Sequence, residues 1–151
     1  MGDMVTLTID GVKVEVSKDA TVLEAARKAG IRIPTLCFLK GVNEIGACRM
    51  CVVEVKGGKA LQTACVLPVS EGMEVITNSP AVRESRKVTL ELLLSDHNLE
   101  CPTCIRNLNC ELQKLAEEMG IDIVDYEGEK KHYAVDEASP SIVRDQNKCI
   151  L

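Results

Sequence analysis

Seven of the eight cysteines and one of the two histidines fall into two sets whose spacing suits iron-sulfur chemistry. The first set, Cys37, Cys48, Cys51 and Cys65, reads C-x10-C-x2-C-x13-C; the second, His97, Cys101, Cys104 and Cys110, reads H-x3-C-x2-C-x5-C. Each supplies the four soft or borderline donors that a cluster takes from its protein. A chain with two such sets would carry electrons. In the first set Cys48 and Cys51 form a close pair on one loop, Cys37 lies upstream and Cys65 returns from the far end of a hairpin, a layout able to wrap a 2Fe-2S rhomb. Gly41, Gly46 and Ala47 are small residues where the backbone can curl around inorganic sulfide and offer N–H groups to it. By spacing alone the second set also fits a structural Cys3His zinc site, which would do no redox work. His132 has no cysteine near it and reads as an ordinary residue.

The elements that must position these ligands are legible from hydrophobic patterning. Val5, Leu7 and Ile9 alternate with polar residues, as do Val12, Val14 and Val16, and Asp10-Gly11 between them has the chemistry of a two-residue hairpin turn. Thr21 and Glu24 form a capping-box pair ahead of a helix that Gly30 stops. After the cysteine loop, strands over 52–55 and 61–64 flank Gly57-Gly58, and a further strand runs over 73–77. From Ser79 the pattern turns helical: Ser79 can cap, Pro80 suits the first helical position, and Val82, Val88, Leu92 and Leu93 mark an apolar face. A second helix spans 111–119, with Leu112, Leu115 and Met119 on one side and Gly120 as its stop. Residues 126–141 carry no period and read as a surface connection. The fold class is therefore α+β, with one domain over 1–78 and a helical one over 79–140.

Composition narrows the function classes. With 151 residues and a net charge of -5, the chain lacks the clustered basic surface that phosphate binding needs, so nucleic acid is not an expected partner. Lys130-Lys131-His132 is too short a basic run to alter this, and reads as a solvated loop. No signal peptide or membrane span is evident, and a cytoplasmic setting favours metal binding over disulfides for the cysteines. Gly2 followed by Thr6 formally fits a myristoylation pattern, but the start of a strand is the better reading. Phe38, Tyr126 and Tyr133 are the only aromatic residues. Each half is small for a self-sufficient core, and metal-ligand bonds would act as staples.

A strand hairpin, a crossing helix and a long cysteine loop resemble the β-grasp fold of plant-type 2Fe-2S ferredoxins, although ten residues separate the first two ligands here where that pattern has four. The stretches Pro34-Thr35-Leu36-Cys37, Gly46-Ala47-Cys48-Arg49-Met50-Cys51 and Thr63-Ala64-Cys65 more closely resemble the amino-terminal domain shared by FeFe hydrogenases and the large iron-sulfur subunit of complex I. That resemblance implies a 2Fe-2S cluster on Cys37, Cys48, Cys51 and Cys65. Asp96-His97-x3-Cys101-x2-Cys104-x5-Cys110-Glu111-Leu112-Gln113 resembles the family's next module and implies a 4Fe-4S cluster on one histidine and three cysteines. The final stretch from Ser141 through Cys149 to Leu151 resembles the opening of a bacterial-ferredoxin motif, which implies that a third, truncated domain begins over 141–151, that the chain is a piece of a longer polypeptide and that Cys149 ligates no cluster within it. Further clusters and a catalytic cluster would then lie in the missing part.

The resemblance is strongest to the catalytic subunit of multimeric, NAD(P)-linked FeFe hydrogenases, some of which bifurcate electrons. It implies flavin- and NAD(P)-binding and small iron-sulfur subunits as partners, and no catalytic site in this chain. Modules of formate dehydrogenases and of the complex I subunit are close alternatives. A redox sensor and a structural zinc docking module are the readings from other classes.

Overall fold

The computed structural model describes residues 3–128 and 132–150. Gly2, read as a chance myristoylation match, and Lys130-Lys131, read as a solvated loop, lie outside the described residues. The chain separates into two compact units, Met1–Arg86 and Lys87–Leu151.

The first unit opens on a hairpin of β1 (Met4–Ile9) and β2 (Val12–Ser17), paired so that Val5, Leu7 and Ile9 face Val16, Val14 and Val12. Asp10 and Gly11 take φ of 48° and 84°, the left-handed pair that a tight hairpin turn demands and that Asp-Gly supplies at low steric cost. Next, α1 (Val22–Lys28) starts at a complete capping box: the Thr21 hydroxyl accepts from Glu24 N–H at 3.3 Å, and the Glu24 carboxylate accepts from Thr21 N–H at 3.0 Å. The remaining strands are β3 (Val52–Val55), β4 (Gln62–Thr63) and β5 (Glu74–Ile76). They complete a five-stranded sheet in the order β2-β1-β5-β3-β4, with β5 parallel to β1 and every other pairing antiparallel.

This is the expected α+β, β-grasp arrangement. The inward residues of β1 and β2 bury against Val22, Leu23, Ala25 and Ala26 of α1, and Cys51 and Cys65 belong to the same apolar cluster. Burial of each large aliphatic side chain here contributes about 1.5–3 kcal/mol. Parallel pairing of the first and last strands cannot be read from alternation alone. It is fastened where the Asp10 carboxylate accepts from Thr77 N–H at 2.8 Å and also from the Thr77 hydroxyl.

Helix α2 (Pro80–Asp96) starts as its sequence suggests, with the Ser79 hydroxyl accepting from Val82 N–H at 3.3 Å. Its buried face departs from the apolar one expected. Val82, Arg86, Leu90 and Leu94 are buried at successive four-residue steps with Glu91 and Ser95 beside them, whereas Leu92 is 52% exposed. A pattern of hydrophobic residues passes over an arginine that is desolvated and hydrogen-bonded, and so misplaces the stripe.

The second unit contains α3 (Glu111–Glu118), which buries Leu112 and Leu115, and two single 3-10 turns, Cys101–Thr103 and Gln146–Lys148, that no periodicity announces. Segment 126–141 has no helix or strand among its described residues, but Asp136 pairs with Arg144 through two backbone bonds of 2.8 and 2.9 Å. Among the described residues no helix is long and apolar enough to cross a membrane.

Candidate metal centres

The first set lies at the edge of the β-grasp core. Cys37, Cys48, Cys51 and Cys65 are all buried, the last two to 1% exposure. The Cys51 and Cys65 positions are fixed by the sheet, because Cys51 immediately precedes β3 and Cys65 follows β4, its paired neighbour. Cys37 and Cys48 bracket an excursion of the chain that is tied back to α1. The Arg27 guanidinium sits 5.0 Å from the centroid of the Phe38 ring, Lys40 pairs with Glu24, and the Asn43 side-chain amide donates to the Cys37 carbonyl at 2.7 Å. Gly46 takes φ of 66°, and a Cβ there would stand 3.3 Å from the Val66 side chain, so only glycine turns the loop this tightly into the cysteine pair.

Backbone donors converge on the sulfurs. Cys48 N–H reaches Cys37 Sγ at 3.4 Å. Burial pushes the Cys37 thiol up, against the N–H groups of Cys48 and Ala47 that favour its thiolate. Burial opposes ionisation of Cys48 as well, but there the N–H groups of Met50, Leu36 and Cys37, with a bond from the Cys37 thiol, outweigh it and lower its pKa. Cys65 is pushed up to about 12 by burial and then by Cys51, Cys37 and Cys48, which all disfavour a further negative charge beside them. Sulfurs whose negative charges disfavour a thiolate at Cys65 call for cationic metal in place of protons. The donor set, its burial and its N–H cradle fit a 2Fe-2S cluster, whose sulfur atoms accept such bonds.

In the second unit, the 3-10 turn at Cys101–Thr103 brings Cys104 N–H to the Cys101 carbonyl at 3.1 Å, and Arg106 N–H approaches Cys104 Sγ at 3.5 Å. The loop from Cys104 to Cys110 hangs on α3: Gln113 accepts from Leu108 N–H at 2.9 Å through its amide oxygen and donates to the Asn107 side chain at 3.0 Å. Leu108, at φ of 63°, holds a backbone conformation that costs a leucine energy. All three cysteines are partly exposed.

His97 follows α2, its N–H bonded to the Leu94 carbonyl at 3.2 Å. Burial lowers its pKa, countered by the Lys148 backbone. Its Nδ1 is buried and has no hydrogen-bond partner among the described residues, a costly state for a protein atom and a natural one for a metal-ligand nitrogen. Among the described residues no three His, Cys, Asp or Glu side chains converge on the position of a single metal ion. The soft donor set and the orphaned nitrogen fit a His/Cys3 cluster.

Residues that patterning missed frame this second site. Asn147 accepts from Tyr133 N–H and donates to the Tyr133 carbonyl, both at 2.8 Å, and its own carbonyl accepts from Asn98 N–H, next to His97, at 3.3 Å. Only the nearby Asp145, whose carboxylate accepts from Asn147 N–H at 3.1 Å, gives a local hint of an ordered turn.

Comparison with known proteins places an iron-sulfur domain or region on each of two segments of the chain. Residues 2–80 match the model of a 2Fe-2S iron-sulfur cluster binding domain, and residues 86–125 match an NADH-ubiquinone oxidoreductase-G iron-sulfur binding region. The chain is 46% identical over 154 aligned residues to the NADP-reducing hydrogenase subunit HndD of Solidesulfovibrio fructosivorans, covering 98% of this chain and 26% of the relative. It is 41% identical to the NADPH-Fe(3+) oxidoreductase subunit alpha of Geobacter sulfurreducens, with 98% and 18% covered. Its fold matches a crystal structure of NAD+-reducing [NiFe]-hydrogenase in the H2-reduced state with a TM-score of 0.90 at 34% identity, covering 97% of this chain and 62% of that one. The chain thus spans about a quarter or less of the curated relatives it matches. By its matched domains, its fold and its two sets of soft ligands, it belongs to the 2Fe-2S iron-sulfur cluster binding domain family, followed by an iron-sulfur binding region of the NADH-ubiquinone oxidoreductase-G type.

Proposed function

We propose that this chain relays electrons between two clusters: a 2Fe-2S cluster on Cys37, Cys48, Cys51 and Cys65, and a 4Fe-4S cluster on His97, Cys101, Cys104 and Cys110. The observation that carries the reading is the pair of candidate sites itself, one with four buried sulfurs under backbone N–H groups and the other with an orphaned buried imidazole nitrogen followed in sequence by three partly exposed cysteines. The clusters would supply one-electron chemistry. The protein fixes ligand positions through α1, β3, β4 and α3, keeps water from the first site, and aims N–H donors that favour negative charge. We assign residues 1–78 to the first domain, 79–140 to the second, and 141–151 to the start of a third.

The larger protein is, on this reading, the catalytic subunit of an NAD(P)-linked FeFe hydrogenase that works with flavin-bearing and small iron-sulfur subunits. The likeness to HndD, the highest identity among the relatives named above, supports this. A complex I-type subunit is the second reading, favoured by the match over residues 86–125. Nickel in stoichiometric amount in the hydrogen-active native complex would exclude the FeFe assignment, and NADH oxidation without hydrogen activity would favour the second.

The relay itself is tested on anaerobically purified protein by iron and acid-labile sulfide analysis with low-temperature EPR after dithionite reduction. About six irons and two distinct signals are expected. The Cys48→Ser variant should lose the 2Fe-2S signal and keep the other, since the sets share no ligand. Zinc without labile sulfide would overturn the proposal.

A further inference from the structure

One buried charge in the first unit has no partner that explains it. Arg86 is only 7% exposed, and its guanidinium Nη2 donates to the Val52 carbonyl at 2.7 Å. Its Nε–H is buried and finds no acceptor among the described residues, and none of the ion pairs formed there includes Arg86. The nearby Asp10 carboxylate is already engaged by Thr77, through N–H and hydroxyl. A guanidinium stays protonated even when buried, so Arg86 brings a positive charge into the interior. Such a charge costs several kcal/mol unless something negative faces it.

The carbonyl that Arg86 holds belongs to the residue immediately after Cys51, and Cys51 is one of the four candidate ligands at the edge of the core. Burial disfavours the Arg86 charge, and the groups that favour it are the Cys51 sulfur first and Asp10 second. A 2Fe-2S centre held by four thiolates is anionic in both oxidation states and becomes more so on accepting an electron. A fixed cation near it in a poorly screened interior lowers the energy of the reduced form more than that of the oxidised form.

We propose that Arg86 is the buried counter-charge of the first cluster, and that its guanidinium raises that cluster's reduction potential. The inference rests on the assignment of a 2Fe-2S cluster to Cys37, Cys48, Cys51 and Cys65. It gives Arg86 a tuning role, with the hydrogen bond to Val52 fixing the distance at which its charge acts. A purely structural arginine, tying α2 to the start of β3, would affect stability and leave the potential alone.

The test is an EPR-monitored redox titration of the iron-loaded chain and of its Arg86→Gln and Arg86→Lys variants, with iron and sulfide measured on each. For Arg86→Gln, the reduced form of the first cluster should be disfavoured about tenfold or more, a fall of about 59 mV for a one-electron couple, with the second cluster's midpoint unmoved. Arg86→Lys keeps the charge and should stay within about threefold of the parent. A loaded Arg86→Gln protein with the parental midpoint overturns the inference, as does an Arg86→Lys midpoint that falls as far as that of Arg86→Gln. Should Arg86→Gln fail to retain the first cluster, the lysine variant decides: parental cluster content and midpoint support the counter-charge, and loss of the cluster despite the retained charge overturns it. A parent protein with no 2Fe-2S signal would overturn the cluster assignment itself, an outcome distinct from all of these.

Discussion

Glu24 serves the first site through both oxygens of one carboxylate. One closes the capping box of α1 on Thr21 N–H, and the other pairs with Lys40, on the stretch between Cys37 and Cys48. The Lys40 ammonium, then the Thr21 N–H, hold the Glu24 carboxyl below its ordinary value of 4.5. A carboxyl whose folded pKa is depressed stabilises the fold above its unfolded value and loses that contribution as pH falls through the folded value. Glu24→Gln, which keeps an acceptor for the cap but removes the charge, should destabilise the chain by about 0.5 kcal/mol at pH 7, since the pair is solvent-accessible. The difference from the parent should shrink below about pH 4.5 and vanish once both states are protonated. Anaerobic urea unfolding of the two proteins at several pH values measures this, and a gap that widens in acid would contradict it.

At the scale of elements, each ligand-bearing loop is held by a regular element beside it. The first loop leans on α1 through Phe38 and Lys40 and is closed on itself by Asn43, and the Cys104–Cys110 loop leans on α3 through Gln113. The end of α2 that delivers His97 is crowded by Gly128: a Cβ there would lie 2.8 Å from the Ser95 carbonyl oxygen and 3.0 Å from the Ser95 hydroxyl oxygen. Backbone atoms cannot yield as a side chain can, so Gly128→Ala must displace the crossing segment or the last turn of the helix. We expect a loss of about 1–3 kcal/mol, in the range of overpacking, with reduced occupancy of the second cluster. Iron should fall from about six towards about two per chain while the 2Fe-2S signal persists. Retention of both signals at full intensity would show that the segment moves aside without disturbing His97.

For the whole molecule, the two units differ in how much apolar core they own. The first buries a continuous aliphatic cluster across β1, β2 and α1, with two candidate ligands inside it; among the described residues of the second, the buried aliphatics are Leu90, Leu94, Leu112 and Leu115, and its candidate cysteines are partly exposed. Small units lean on metal-ligand bonds in proportion to what their cores lack. Removal of iron by an anaerobic chelator should therefore unfold residues 87–151 first and leave the β-grasp unit weakened but folded. Limited proteolysis read by mass spectrometry should show early cuts confined to the second unit; simultaneous loss of both would point to one cooperative fold.

The sequence alone determined features whose cause is local. The Asp10-Gly11 hairpin, the Thr21/Glu24 capping box, the Ser79-Pro80 helix start and the two candidate ligand sets each depend on residues close in the chain or on the chemistry of cysteine and histidine at short spacing. Tertiary structure decided what depends on residues far apart. It pairs β5 in parallel with β1, fastened by Asp10 and Thr77 across 67 residues. It also turns Arg86 inward to Val52 across 34 residues, where hydrophobic patterning pointed the α2 stripe through Leu92. Asn147, framing His97 from the far end of the second unit, is invisible to spacing for the same reason. Burial of a charge or an amide is set by the partners that the fold brings to it, and those partners are not its neighbours in sequence.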